Sequence, residues 1–152
     1  MLNEFLNKIK GEQQLCFTDN LDNVYSALID QLKQNFPGLK YYKLPSLNDD
    51  SPQDVAYQLY KYFPTHFFKF LQALIITEQQ SLAIDITNVV AWQSITFIDI
   101  GCGAGAGSIA LLFLLERYQQ FLIDNNKPIS PIRVFLIGFD PSENMISLYR
   151  LY

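Results

Sequence analysis

Ser94-Ile95-Thr96-Phe97-Ile98-Asp99-Ile100 runs directly into Gly101-Cys102-Gly103-Ala104-Gly105-Ala106-Gly107. The first seven residues are short in span, rich in β-branched and aromatic side chains, and nearly all apolar. They read as a strand buried on both faces, as in a parallel sheet. The glycine run reads as a tight turn, and Ser108 to Ile123 as a helix, apolar on most sides in its first half. Asp124-Asn125-Asn126-Lys127-Pro128 ends that helix. Ile132 to Phe139 reads as a second buried strand, closing at Asp140, and Pro141-Ser142-Glu143 opens another helix. The unit is β-α-β-α, which predicts two parallel strands joined by a right-handed crossover.

Upstream of residue 92 the pattern is helical. Leu21, Val24, Tyr25, Leu28, Ile29, Leu32 and Phe36 follow helical spacing, with Asp19 or Asn20 as the cap and Pro37-Gly38 as the stop. Residues 38–50 read as a loop. Ser51-Pro52-Gln53-Asp54 is a helix start in which Ser51 caps, Pro52 suits the first turn and Asp54 closes a capping box. That helix is expected to run to about Phe63, with a break at Pro64. A further helix follows from Thr65 to about Glu78, presenting Phe67, Phe70, Leu71, Leu74 and Ile75 on one face. Residues 79–94 fit either a helical turn or a short strand. The chain therefore divides into a helical leader, 1–92, and an α/β segment, 93–152.

Composition narrows the function classes. The 152 residues are 49% hydrophobic and 17% charged, with a net charge of −4. This is enough apolar matter for one packed domain. The acidic balance argues against a broad nucleic-acid footprint. Two cysteines, Cys16 and Cys102, make neither a disulfide framework nor a metal cluster, and the single histidine, His66, excludes a His-rich zinc site. The first residues have no basic stretch followed by an apolar one, so no signal peptide is expected. The longest apolar run, Ile109 to Leu115, is far short of the roughly 20 residues a membrane span needs. A soluble cytoplasmic protein with no membrane partner is the expectation.

The chemistry lies in Asp99-Ile-Gly101-Cys-Gly103-Ala-Gly105. A strand, a glycine turn and a helix start require a tight bend and close approach of backbone to ligand, which glycine permits. The helix start offers free N–H groups to a carboxylate or phosphate. Asp140, at the end of the second strand, can accept hydrogen bonds from two ribose hydroxyls. Gly101, Gly103 and Ala106 also satisfy the dinucleotide pattern G-x-G-x-x-G/A. Asp99, however, sits where it would repel a pyrophosphate and attract an ammonium group. S-adenosyl-L-methionine carries an ammonium, a carboxylate and a ribose, and suits the acid better than NAD does.

Ile98-Asp99-Ile100-Gly101-Cys102-Gly103-Ala104-Gly105 resembles motif I of the class I S-adenosylmethionine-dependent methyltransferases. Gly138-Phe139-Asp140-Pro141-Ser142-Glu143-Asn144-Met145 resembles the same family's second motif, the acid after strand two. The resemblance covers residues 93–152 and implies a Rossmann-like sheet. It implies that Asp99 faces the methionine amino group and that the turn Gly101, Cys102, Gly103, Ala104 and Gly105 holds the methionyl end. Asp140 would then bind the ribose hydroxyls, with Pro141, Ser142 and, more weakly, Met145 near the adenine edge. The implied reaction is methyl transfer to an acceptor that the sequence does not name.

Two departures stand out. Asp140 follows Asp99 by 41 positions, about twice the family's usual spacing. Similar spacing looks like the GRAS regulators of plants and a methyltransferase-like ribosome-assembly family. The family's sheet also has seven strands, of which two are legible here, and Ile146 to Tyr152 reads as a helix cut in mid-course. A fragment, or a chain that pairs with a complementary C-terminal half or another protein partner, is the expectation. An NAD(P)-binding oxidoreductase fragment and a non-catalytic GRAS-like interaction module are the alternatives.

Other candidates read more plainly. Cys102 is either a reactive thiol at a helix start or a small packing residue, and packing is preferred. His66 reads as solvent-facing or capping rather than as a base. Tyr57, Tyr60, Tyr62, Phe63, Phe67, Phe68 and Phe70 form a core or, less readily, a base-stacking platform. Asp49-Asp50 reads as a solvated loop.

Overall fold

The structure is a computed structural model that describes residues 2–11, 19–38, 51–76 and 93–150. The order of elements is α1 (Leu2–Gly11), α2 (Asp19–Asn35), α3 (Pro52–Lys61), α4 (Phe63–Ile76), β1 (Ser94–Ile100), α5 (Ala106–Asp124), β2 (Arg133–Phe139) and α6 (Glu143–Tyr149). Cys16, residues 39–50 with Asp49-Asp50, residues 79–92 and the side chains of Leu21 and Ile75 lie outside the described residues.

The strands pair in parallel, in register from Ser94 opposite Arg133 to Ile100 opposite Phe139. Alternation along each strand sends Ile95, Phe97 and Asp99, with Val134, Leu136 and Gly138, to one face. Leu111 and Leu115 of α5 pack there against Ile95, Phe97, Ile132 and Val134. The opposite face carries Thr96, Ile98 and Ile100 beside Phe135, Ile137 and Phe139, and it is open. Ile100 is 84% exposed and Phe139 56%. The expectation of strands buried on both faces is thus corrected. α5 and α6 pack on the same side, and among the described residues no element covers the other.

α5 is apolar nearly all round because it is enclosed nearly all round. Its sheet side meets the strands. On its other sides Ala110, Phe113, Leu114, Tyr118 and Leu122 join one continuous core with Phe5 and Ile9 of α1, Leu28 and Leu32 of α2, Val55 and Leu59 of α3, and Phe67 and Leu71 of α4. Rings fix these contacts: Phe67 meets Phe113 edge-on at 5.6 Å, and Phe5 lies 5.1 Å from Tyr118. Such aromatic pairs add about 0.5–1.5 kcal/mol beyond burial. α3 docks through Tyr25, whose hydroxyl donates to the Tyr60 carbonyl at 3.3 Å, and α4 through the stack of Tyr25 on Phe63.

Local signals behave as their chemistry requires, with one correction, at the break between α3 and α4. Ser51 and Asp54 form the expected capping box at the start of α3. The break after α3 falls at Tyr62, not Pro64; α4 begins at Phe63, and Pro64 sits in its first turn, where its missing N–H has no partner to lose. α2 begins at Asp19, and the side chains of Asp19 and Asn20, expected as its cap, lie outside the described residues. Phe70 lies on the face of α4 turned to α5, its ring 3.5 Å from where a Cβ on Gly107 would sit, while remaining 46% exposed. α6 is described to Tyr149, with the Arg150 N–H donating in helical fashion to the Ile146 carbonyl at 3.1 Å, and the expected run on to Tyr152 lies outside the described residues. No described helix is long and apolar enough to cross a membrane.

α6 approaches β2 closely because Gly138 lacks a side chain. A Cβ there would lie 2.6 Å from the ring of Tyr149, which is itself buried. Gly138→Ala is expected to destabilise the fold by about 1–3 kcal/mol in urea unfolding, through overpacking. The same substitution in a Tyr149→Leu background should cost clearly less; equal costs in both backgrounds would rule out the ring contact as the cause.

Candidate functional site

The carboxyl ends of β1 and β2 meet at a knot of backbone hydrogen bonds. Gly101, Gly103 and Gly105 all have positive φ, at 71°, 52° and 85°. Three left-handed residues in alternation turn the chain within five positions, a course that L side chains resist. Gly101 and Cys102 N–H both donate to the Phe139 carbonyl, at 2.7 and 3.1 Å, which pins the turn to the end of β2. Gly105 N–H donates to the Cys102 carbonyl at 2.8 Å and leads into α5.

Asp140 stitches the two loops together. Its Oδ2 accepts from Gly103 N–H and its Oδ1 from Ser142 N–H, both at 2.9 Å. Each oxygen retains a further lone-pair direction. The glycine turn and the acid after the second strand, 37 residues apart in sequence, are therefore one hydrogen bond apart in space. A depression of about 490 Å³ opens beside them, lined by Asp140, Glu143, Ile146 and Arg150.

Asp99 lies deeper. It is only 6% exposed and turns toward the first turn of α5. Its Oδ2 accepts from the Ser108 hydroxyl at 2.8 Å, and the Ser108 oxygen lies 2.9 Å from the Tyr149 hydroxyl. Gly107 makes room: a Cβ on it would sit 3.2 Å from Asp99 Oδ2. The carboxylate thus rests against a helix N-terminus, where the dipole favours negative charge.

The remaining expected residues divide. Ala104 and Cys102 are buried within the turn, and Pro141 is exposed beside it. Ser142 is the N-cap of α6, its hydroxyl taken by Met145 N–H at 3.0 Å. Met145, expected near a ligand edge, is instead part of the core at 4% exposure, because α6 turns that face inward. His66 is exposed and stacks on Tyr62. Tyr57, Phe63 and Phe67 are buried, while Tyr60, Tyr62 and Phe70 are exposed. Among the described residues, no group of three or more His, Cys, Asp or Glu is gathered to hold a metal ion. Ser108 and Tyr149 were not expected in the site. The signal for Ser108 was a lone hydroxyl opening an otherwise apolar helix; nothing local marked Tyr149.

Burial, together with Asp99 and Asp140, pushes the Cys102 thiol up to about 11. It stays protonated at neutral pH, which fits a packing residue and not a nucleophile. In a Cys16→Ser background, Cys102 should resist iodoacetamide at pH 8 in the folded protein and react once the chain is unfolded in urea. Labelling of the folded protein at the rate of the unfolded one would overturn this.

No family model, curated protein or solved structure matches the chain, so a functional reading rests on the two motifs and on the geometry of the site.

Proposed function

We propose that this chain is a Rossmann-like, class I S-adenosylmethionine-dependent methyltransferase or its cofactor-binding half. The observation that carries the reading is the Gly103–Asp140 hydrogen bond. It brings a glycine turn and a second-strand acid together at the carboxyl ends of adjacent parallel strands, where ligands of open α/β sheets bind. The residues fit the group's chemistry. The remaining lone pairs of Asp140 suit two ribose hydroxyls. The adjoining depression, with Ile146 on its wall, suits a flat heterocycle. Asp99 is the acid for an ammonium group, and the turn 101–105 is the close backbone for the methionyl end.

When bound, S-adenosylmethionine supplies an electrophilic methyl group on a sulfonium. The work of the chain is to hold the adenosyl and methionyl ends so that an acceptor nucleophile lines up with that methyl.

The dinucleotide alternative is weakened by the position of Asp99. A pyrophosphate would sit at the N-terminus of α5, and a carboxylate is already lodged against that turn. The open sheet face supports the partner expected from the sequence. Parallel sheets are normally covered on both sides, and the exposed Ile98, Ile100, Phe135, Ile137 and Phe139 call for apolar helices of a complementary half. The same face favours the interaction-module reading if no cofactor binds.

Isothermal titration with S-adenosylhomocysteine tests the reading. Micromolar binding is expected, weakened about 10–100-fold in Asp140→Ala, the cost of hydrogen bonds to a charged group. Circular dichroism establishes that the variant is folded. Unchanged affinity in the variant would overturn the ribose assignment. Binding of NADH in place of S-adenosylhomocysteine would favour the oxidoreductase fragment, and binding of neither would favour the interaction module.

A further inference from the structure

We infer that Ser108 and Tyr149 are positioning residues that act through Asp99, forming a hydrogen-bonded chain that presents its carboxylate to the ammonium end of the ligand. The inference rests on the reading above, in which Asp99 meets that ammonium.

The chain has a fixed direction. An ionised carboxylate only accepts, so the single Ser108 hydroxyl proton goes to Asp99 Oδ2, at 2.8 Å. The Ser108 oxygen must then accept from Tyr149 O–H, at 2.9 Å. Each bond polarises the next in a dry setting: Ser108 is fully buried, Asp99 6% exposed and Tyr149 7%. Burial, aided by the charge of Asp99, holds the Tyr149 phenol above its usual range, so it stays a donor at neutral pH.

Three elements meet in this chain: β1 through Asp99, α5 through Ser108 and α6 through Tyr149. Gly138 lets the Tyr149 ring cross the end of β2, and Gly107 lets the carboxylate enter the first turn of α5. A core has no need of this arrangement. Two hydroxyls and a carboxylate in a dry site are costly unless each is partnered, and apolar residues of the same volume would pack as well. What the chain accomplishes is selection between the two carboxylate oxygens. Oδ2 is committed inward, and Oδ1 keeps its lone pairs for a ligand.

A pair of ligands isolates the effect. S-adenosylhomocysteine and 5′-methylthioadenosine share the adenosine and the thioether, but the second lacks the amino-acid group. Affinities of the full chain for each are measured by titration calorimetry. Ser108→Ala should weaken S-adenosylhomocysteine about tenfold and leave 5′-methylthioadenosine unchanged, the loss of one hydrogen bond to a charged group. Tyr149→Phe, nearly isosteric, should weaken the same ligand about threefold with the same selectivity. Ser108→Thr, which restores the hydroxyl, should recover wild-type affinity. In the free protein, the ¹³C signal of the Asp99 carboxyl should move in both weakened variants.

Equal loss for both ligands, or no loss for either, would overturn the positioning role while leaving the cofactor reading in place. Failure of the wild-type chain to bind either ligand would overturn the cofactor reading and this inference with it. An Asp99 carboxyl signal unmoved by Tyr149→Phe would remove Tyr149 from the chain whatever the affinities.

Discussion

Enclosure of α5 is the constraint on which the rest depends. One helix is asked to serve two layers. Leu111 and Leu115 fill the gap to the strands, and Ala110, Phe113 and Leu114 fill the gap to the helical layer. Each large side chain buried there contributes about 1.5–3 kcal/mol. The two-stranded sheet is too small to be stable alone, and α1 to α4 are each amphipathic helices of modest length that need a surface to bury against. α5 supplies that surface to both. The glycine turn then inherits its geometry, because the helix axis is set by packing and β1 by pairing, and five residues must join them.

Small residues let polar chemistry enter this dry junction. Gly107 and Gly138 are absences of side chain that a carboxylate and a phenol fill. Asp99 and Asp140 are handled in opposite ways. Asp99 is held through one oxygen by the Ser108 hydroxyl and is nearly buried; Asp140 is held by backbone N–H groups and stays at the rim. Two acids near one turn therefore differ in exposure and in the oxygens they leave available. Such a pair can meet the two chemically distinct ends of one ligand.

Legibility in the sequence followed the range of the interactions. The capping box of Ser51 and Asp54, the strands 94–100 and 133–139, and the helix after the glycine turn are written within a few residues, and they were readable. Parallel pairing followed from chain connectivity. The burial of only one sheet face was not readable, because alternating and continuous apolar strands look alike when both faces carry Ile and Phe. The start of α4 at Phe63 turned on packing between helices. The Ser108–Tyr149 contact joins residues 41 apart. No local pattern could pair them, although a serine at the head of an apolar helix hinted at a buried acceptor.

The register of the strands also bears on how the chain comes to be folded. Ser94 lies opposite Arg133, so the sheet cannot begin to form until the whole of α5 has emerged and turned back. Closing so long a crossover before any ladder forms is entropically slow. During that interval Ile95-Thr96-Phe97-Ile98 and Val134-Phe135-Leu136-Ile137 are uncharged, β-prone and unpaired, the composition that seeds cross-β association. After folding, half of each segment still faces outward. A layer packed on that face would therefore act twice: it would complete the sheet, and it would withdraw from association the segments most prone to it while the chain is being made.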